Sequence, residues 1–91
     1  MQGSIALLPG GWAVRVWLDT SVEEARRWIP PDMAVLDDTG DGVVMHCTTQ
    51  DLLWMAHFLL RIPCPFHIEA PPELRQLTRE AAERVVEMLE D

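Results

Sequence analysis

The stretch that decides the fold is Trp12-Ala13-Val14-Arg15-Val16-Trp17-Leu18-Asp19, WAVRVWLD in one-letter code. Trp12, Val14, Val16 and Leu18 fall on one face and Ala13, Arg15, Trp17 and Asp19 on the other, the period-two pattern of a half-buried strand. The second face should be wet, yet it carries Trp17. Burying a tryptophan removes on the order of 200 Å² from water, worth several kcal/mol at about 25 cal/mol per Å². An indole on that face therefore asks for a cover: another copy, another domain, or a helix folded back.

Outward from this strand the chain punctuates itself. On its N-terminal side residues 1–11 end in Pro9-Gly10-Gly11 and read as a linker or tail, so the domain spans 12–91. On its C-terminal side Ser21 with Glu24, or Thr20 with Glu23, makes a capping box, and Val22, Ala25, Trp28 and Ile29 follow at helical spacing. Pro30-Pro31 stops this helix after about ten residues. Met33–Leu36, the turn Asp37-Asp38-Thr39-Gly40-Asp41-Gly42 and Val43–Thr48 read as a hairpin. Its second strand is apolar or nearly so on both faces, with Val43, Met45 and Cys47 on one side and Val44, His46 and Thr48 on the other.

Asp51 caps a second helix whose apolar stripe is Leu52, Leu53, Ala56, Leu59 and Leu60, with Trp54, His57 and Arg61 on its flank. Pro63 and Pro65 end it, and Phe66–Glu69 alternates as a fourth strand. A last helix runs from about Pro72, with Leu74, Leu77, Ala81, Val85 and Met88 on one stripe and the pairs Arg79/Glu83 and Glu80/Arg84 on its solvated side. The order βαββαβ plus one helix predicts an α+β, ferredoxin-like domain: a four-stranded antiparallel sheet with helices on one face and an additional C-terminal helix.

Composition narrows the function. Ninety-one residues suffice for one domain, and 48% apolar content places it among globular chains. Seven basic residues, all Arg, against fifteen acidic ones give a net charge of −8, which argues against direct nucleic-acid contact. Without a signal peptide or an apolar run of about twenty residues, the chain reads as soluble and intracellular. Cys47 and Cys64 have no CxxC partner and read as buried thiols rather than a disulfide or zinc pair. His46, His57 and His67 show no metal-ligand spacing, and the acidic hairpin turn lacks the Glu of a calcium loop. No phosphate cradle or nucleophile elbow is present. An RNA-binding sheet would want more cations around Trp17, a metal carrier a Cys pair in the first loop, and an acylphosphatase an Asn that the chain lacks. These readings predict no catalytic residues, no metal and no cofactor, and leave an interaction or ligand-sensing module.

Several pieces in order also resemble one family. Ala13-Val14-Arg15-Val16 with Val22-Glu23-Glu24-Ala25-Arg26-Arg27, the turn Asp41-Gly42, Trp54 with Leu59-Leu60, and Ile68-Glu69-Ala70-Pro71-Pro72-Glu73-Leu74-Arg75 are similar to the C-terminal extension, or WCX domain, of bacterial WYL-domain transcriptional regulators. The closing segment is the most specific. Members commonly have a Gly where this chain has Arg61-Ile62-Pro63-Cys64-Pro65, which predicts a stiffer loop. The resemblance implies a domain that helps a regulator dimerise and couples effector sensing to a DNA-binding head. The winged helix and WYL barrel of such proteins do not fit in ninety-one residues, so the chain reads as part of one. The expected docking face comprises Arg15, Trp17 and His67 with Met45 or His46, and the expected partners are a second copy and the WYL and winged-helix domains, without nucleic acid or membrane. Competing readings are a small-molecule sensor with its ligand at a dimer interface, and a cofactor-free enzyme built as a dimeric barrel. The mode of dimerisation, side by side or by exchange of the last helix, stays open.

Overall fold

A computed structural model describes residues 11–89. The strand read from WAVRVWLD is β1, Trp12–Leu18, with Val14, Val16 and Leu18 buried and Arg15 and Ala13 exposed. It is followed by α1 (Val22–Ala25), β2 (Val35–Asp38), β3 (Val43–Thr49), α2 (Leu52–Leu60), β4 (Phe66–Ala70) and α3 (Pro72–Leu89). The sheet is antiparallel in the order β2-β3-β1-β4, which makes β1 a central strand and gives the expected ferredoxin-like arrangement with an added C-terminal helix. Most of the tail assigned to residues 1–11 lies outside the described residues.

The helices pack on the face that carries Val14, Val16, Leu18, Val43, Met45 and Ile68, all part of one core with Ala25, Ile29, Leu52, Met55, Ala56, Leu59 and Leu74. Asp51 caps α2 as its sequence predicts: Trp54 N donates to Asp51 Oδ1 at 3.1 Å. Ser21 does the same for α1, accepting from Glu24 N at 3.2 Å. Along α3 the seam Leu74, Thr78, Ala81 is buried, and the Thr78 hydroxyl is satisfied by donating to Leu74 O at 2.7 Å.

Three expectations need correction. The first helix is a single turn, not ten residues. After Ala25 three-residue bonds enter, with Arg27 N donating to Glu24 O and Trp28 N to Ala25 O beside a last four-residue bond from Ile29 N to Ala25 O, and Pro30, which has no N–H to give, ends the ladder. The first hairpin strand starts two residues late, because Met33 N closes a turn onto Pro30 O, and it runs on through Asp37 and Asp38. An edge strand asks only that its backbone pair with Val44 and Val43, so carboxylates are tolerated there. Finally, no ion pairs form between Arg79 and Glu83 or between Glu80 and Arg84; Glu80 instead accepts from Gln76 Nε2 at 2.9 Å.

Candidate functional site

The face of the sheet away from the helices is uncovered, and cross-strand register fixes which side chains share it. One row runs Asp37, Val44, Trp17, His67 from edge to edge; a second runs Val35, His46, Arg15 to the end of β4. β4 carries one extra residue opposite the Arg15–Val16 step, since Val16 pairs with Ile68 and Arg15 with Ala70. That irregularity leaves Glu69 beside Arg15, where its Oε1 lies 2.8 Å from Arg15 Nε. Toward the β2 edge of the same face His46 Nε2 meets Asp37 Oδ2 at 3.1 Å, an ion pair when the imidazole is protonated. Arg15 and His46 thus occupy the central strands and each is met by a carboxylate from an edge strand.

Trp17 is half-buried despite the open face. Its indole lies against the hairpin turn at Gly42, so closely that a Cβ added there would sit 2.5 Å from Trp17 Nε1 and 2.7 Å from the Leu18 carbonyl oxygen. The glycine of the Asp41-Gly42 turn leaves room for the indole that crosses it and for the Leu18 carbonyl behind it. Next to this apolar centre, toward the Trp12 end of β1, the face dips into a shallow depression of about 440 Å³ lined by Ala13, Arg15, His46, Cys47, Thr48 and Ala70.

Of the five residues expected at a docking face, the structure gathers Arg15, Trp17, His46 and His67. Met45 is not among them: it pairs with Val16 in β3, points at the helices and is 0% exposed, because side chains alternate strictly and His46 takes the open side. Sequence reasoning misses Asp37 and Glu69, the two carboxylates that meet His46 and Arg15. By its sequence Asp37 belongs to the turn, and a bulge at Glu69 leaves no trace in composition or period.

The chemistry of the remaining groups is subdued. Burial pushes the Cys47 thiol up to about 11, far from a thiolate nucleophile at neutral pH. The Cys64 thiol is raised as well, first by burial, with a backbone hydrogen bond at Asp19 opposing and the Asp19 charge reinforcing. His46 and His67 share the open face but stand on strands separated by β1, and His57 is exposed on α2. No three His, Cys, Asp or Glu side chains converge on a common point among the described residues.

The WCX domain family model matches residues 10–86 of the chain. The chain belongs to the WCX family. WCX domains are regulatory C-terminal domains of WYL-type regulators, which places this one in transcription regulation and in association with its parent regulator. Neither the curated proteins nor the solved structures compared with this WCX domain give a match. Among its described residues no helix is long and apolar enough to cross a membrane.

Proposed function

We propose that this WCX domain is a non-enzymatic cytoplasmic module that holds two copies of a WYL-type transcriptional regulator together and couples effector sensing to DNA binding, making no nucleic-acid contact of its own. The open sheet face carries the reading. Its centre, Trp17 and Val44, is apolar and half-buried, Arg15 beside it is already paired with Glu69, and Asp37 lies against His46. Burial against another surface costs least when no charge is left unpartnered, so such a face suits docking of a neighbouring domain. A net charge of −8 agrees with DNA contacts lying elsewhere in the regulator.

The test uses this domain alone and within its parent. Sedimentation of the domain should show a dimer between micromolar and millimolar concentration. In the regulator, Trp17→Glu should abolish the effector-dependent change in operator affinity while leaving effector-free affinity unchanged. A strict monomer removes the self-association part, and an intact effector response in the variant removes the coupling part.

The depression of about 440 Å³ supports a second reading, in which a small effector binds the sheet face directly. Its volume is within the range of about 300–1,000 Å³ usual for ligand sites. A metabolite that raises the melting temperature of the wild type by several degrees, but not that of Arg15→Ala, would favour it.

A further inference from the structure

Two surfaces on the helix side of the molecule have no partner among the described residues, and their chemistries are opposite. The first is the outer face of α2. Its sequence, LLWMAHFLL, is apolar almost all round, yet the core takes only Leu52, Met55, Ala56 and Leu59. Trp54 is left 52% exposed and stacked on Phe58, with ring centroids 5.6 Å apart and planes at 13°. Beyond Phe58 a groove of about 200 Å³ opens between α2 and the end of α1, lined by Arg27, Trp28, Phe58, Arg61 and Ile62. Both charges on it are guanidinium groups. Arg27 makes one exposed contact, 3.3 Å to Glu24, and Arg61 has no carboxylate within 4 Å among the described residues. Stacked aromatics flanked by arginines are the composition that dominates binding energy at protein interfaces.

The second surface is the distal part of α3. With eighteen residues against nine, α3 is about 27 Å long and α2 about 13 Å, so α2 covers only its first half. The seam Leu74, Thr78, Ala81 continues in register through Val85 and Met88, but there the side chains emerge, Met88 being 63% exposed; Leu89, 79% exposed, stands beside that seam with Val86 one turn before it on the same side. Glu83 and Glu87 stand one turn apart and line a shallow hollow with Ala82 and Val86. Like charges at this spacing repel by a few tenths of a kcal/mol, a penalty that two facing cations would relieve. No residue of α3 lines the arginine-aromatic groove, so the domain's own helix end does not fill it.

We infer that copies of this domain pair reciprocally, the end of α3 of one copy seating Val86 and Leu89 against Trp28, Trp54 and Phe58 of the other, with Glu83 and Glu87 meeting Arg27 and Arg61. The occupant is a second copy because an acidic, aliphatic helix end is what a cationic, aromatic groove accepts, and this chain carries both. The inference rests on the self-association proposed above and assigns it a surface distinct from the sheet face, which stays free for the parent's other domains.

The test is a charge swap read by sedimentation at matched concentrations, with circular dichroism confirming that each exposed substitution leaves the fold intact. Arg27→Glu/Arg61→Glu and Glu83→Arg/Glu87→Arg should each weaken dimerisation at least tenfold. An equimolar mixture of the two should restore it, because the unaltered end of one then faces the unaltered groove of the other and the reversed end faces the reversed groove. A wild-type monomer at millimolar concentration would overturn the self-association reading itself. A dimer indifferent to both variants, or a mixture that fails to recover, would overturn this assignment alone; a dimer broken by Trp17→Glu instead would give the pairing to the sheet face.

Discussion

Gly42→Ala should cost this domain stability for a reason visible at one point of contact. The added methyl would lie 2.5 Å from Trp17 Nε1, 2.7 Å from Trp17 Cε2 and 2.7 Å from the Leu18 carbonyl oxygen. The indole can swing away, but the carbonyl belongs to the central strand and cannot. Overpacking of this kind costs about 1–3 kcal/mol. In a domain of this size each kcal/mol lowers the melting temperature by about 4–8 °C, so a fall of roughly 5–20 °C is expected. Thermal melts give the number, and the added methyl in a Trp17→Ala background separates its two causes. With the ring gone, the penalty should shrink to the part owed to Leu18. Gly40→Ala is the matched control. Gly40 has φ +92° and nothing within 4 Å of an added Cβ, so its cost is conformational, about 1–2 kcal/mol, and indifferent to Trp17. If Gly42→Ala melts within about 2 °C of wild type, or its penalty is unchanged without Trp17, the indole does not lie across the turn and the account of that face is wrong.

Met45→Ala should cost about 2–5 kcal/mol in a denaturant titration and leave the association constant untouched, as a core residue must; the reverse pattern would return Met45 to the docking face. Asp51→Ala, which removes the bond accepted from Trp54 N, should cost about 1 kcal/mol, with Asp51→Asn recovering most of it. Because burial holds the Cys47 thiol at about 11 against an ordinary 9.0, the unfolded chain loses this proton first as pH rises. The contribution of Cys47 to stability is therefore complete below pH 9 and declines between 9 and about 11. Iodoacetamide labelling followed by mass spectrometry at pH 8 should modify Cys64 before Cys47, and the opposite order would contradict the burial assigned to β3.

Much of the fold was legible because it rests on period and caps. The alternation of WAVRVWLD, the Asp51 cap and the Ser21 cap each appear where the sequence puts them. Less was legible wherever the outcome depends on what lies across the sheet. The opposite faces of Met45 and His46 follow from alternation, but which of the two joins Trp17 follows only from the pairing of Trp17 with Val44 and Arg15 with His46. The carboxylates that neutralise the face arrive through an edge-strand extension and a bulge, neither of which has a local signature. The periodicity of α3 gives one stripe from Leu74 to Met88, whereas its burial ends with the reach of α2, a neighbour's length that no pattern within α3 encodes.

The place of β1 has a consequence for how the domain comes into being. The first strand of the chain sits between β3 and β4, and β4 is the last strand, so neither of its neighbours exists when it emerges from a ribosome. β1 can pair with β3 once Thr49 has been made, but its other edge, along Trp17 and Leu18, stays open until β4 follows with Phe66 and His67. Completing the sheet therefore depends on pairings distant in sequence, which makes folding slower than in a helical bundle of the same length. A chain truncated before Phe66 leaves the centre of the sheet with a raw edge, a template for wrong partners, rather than a smaller version of the same fold.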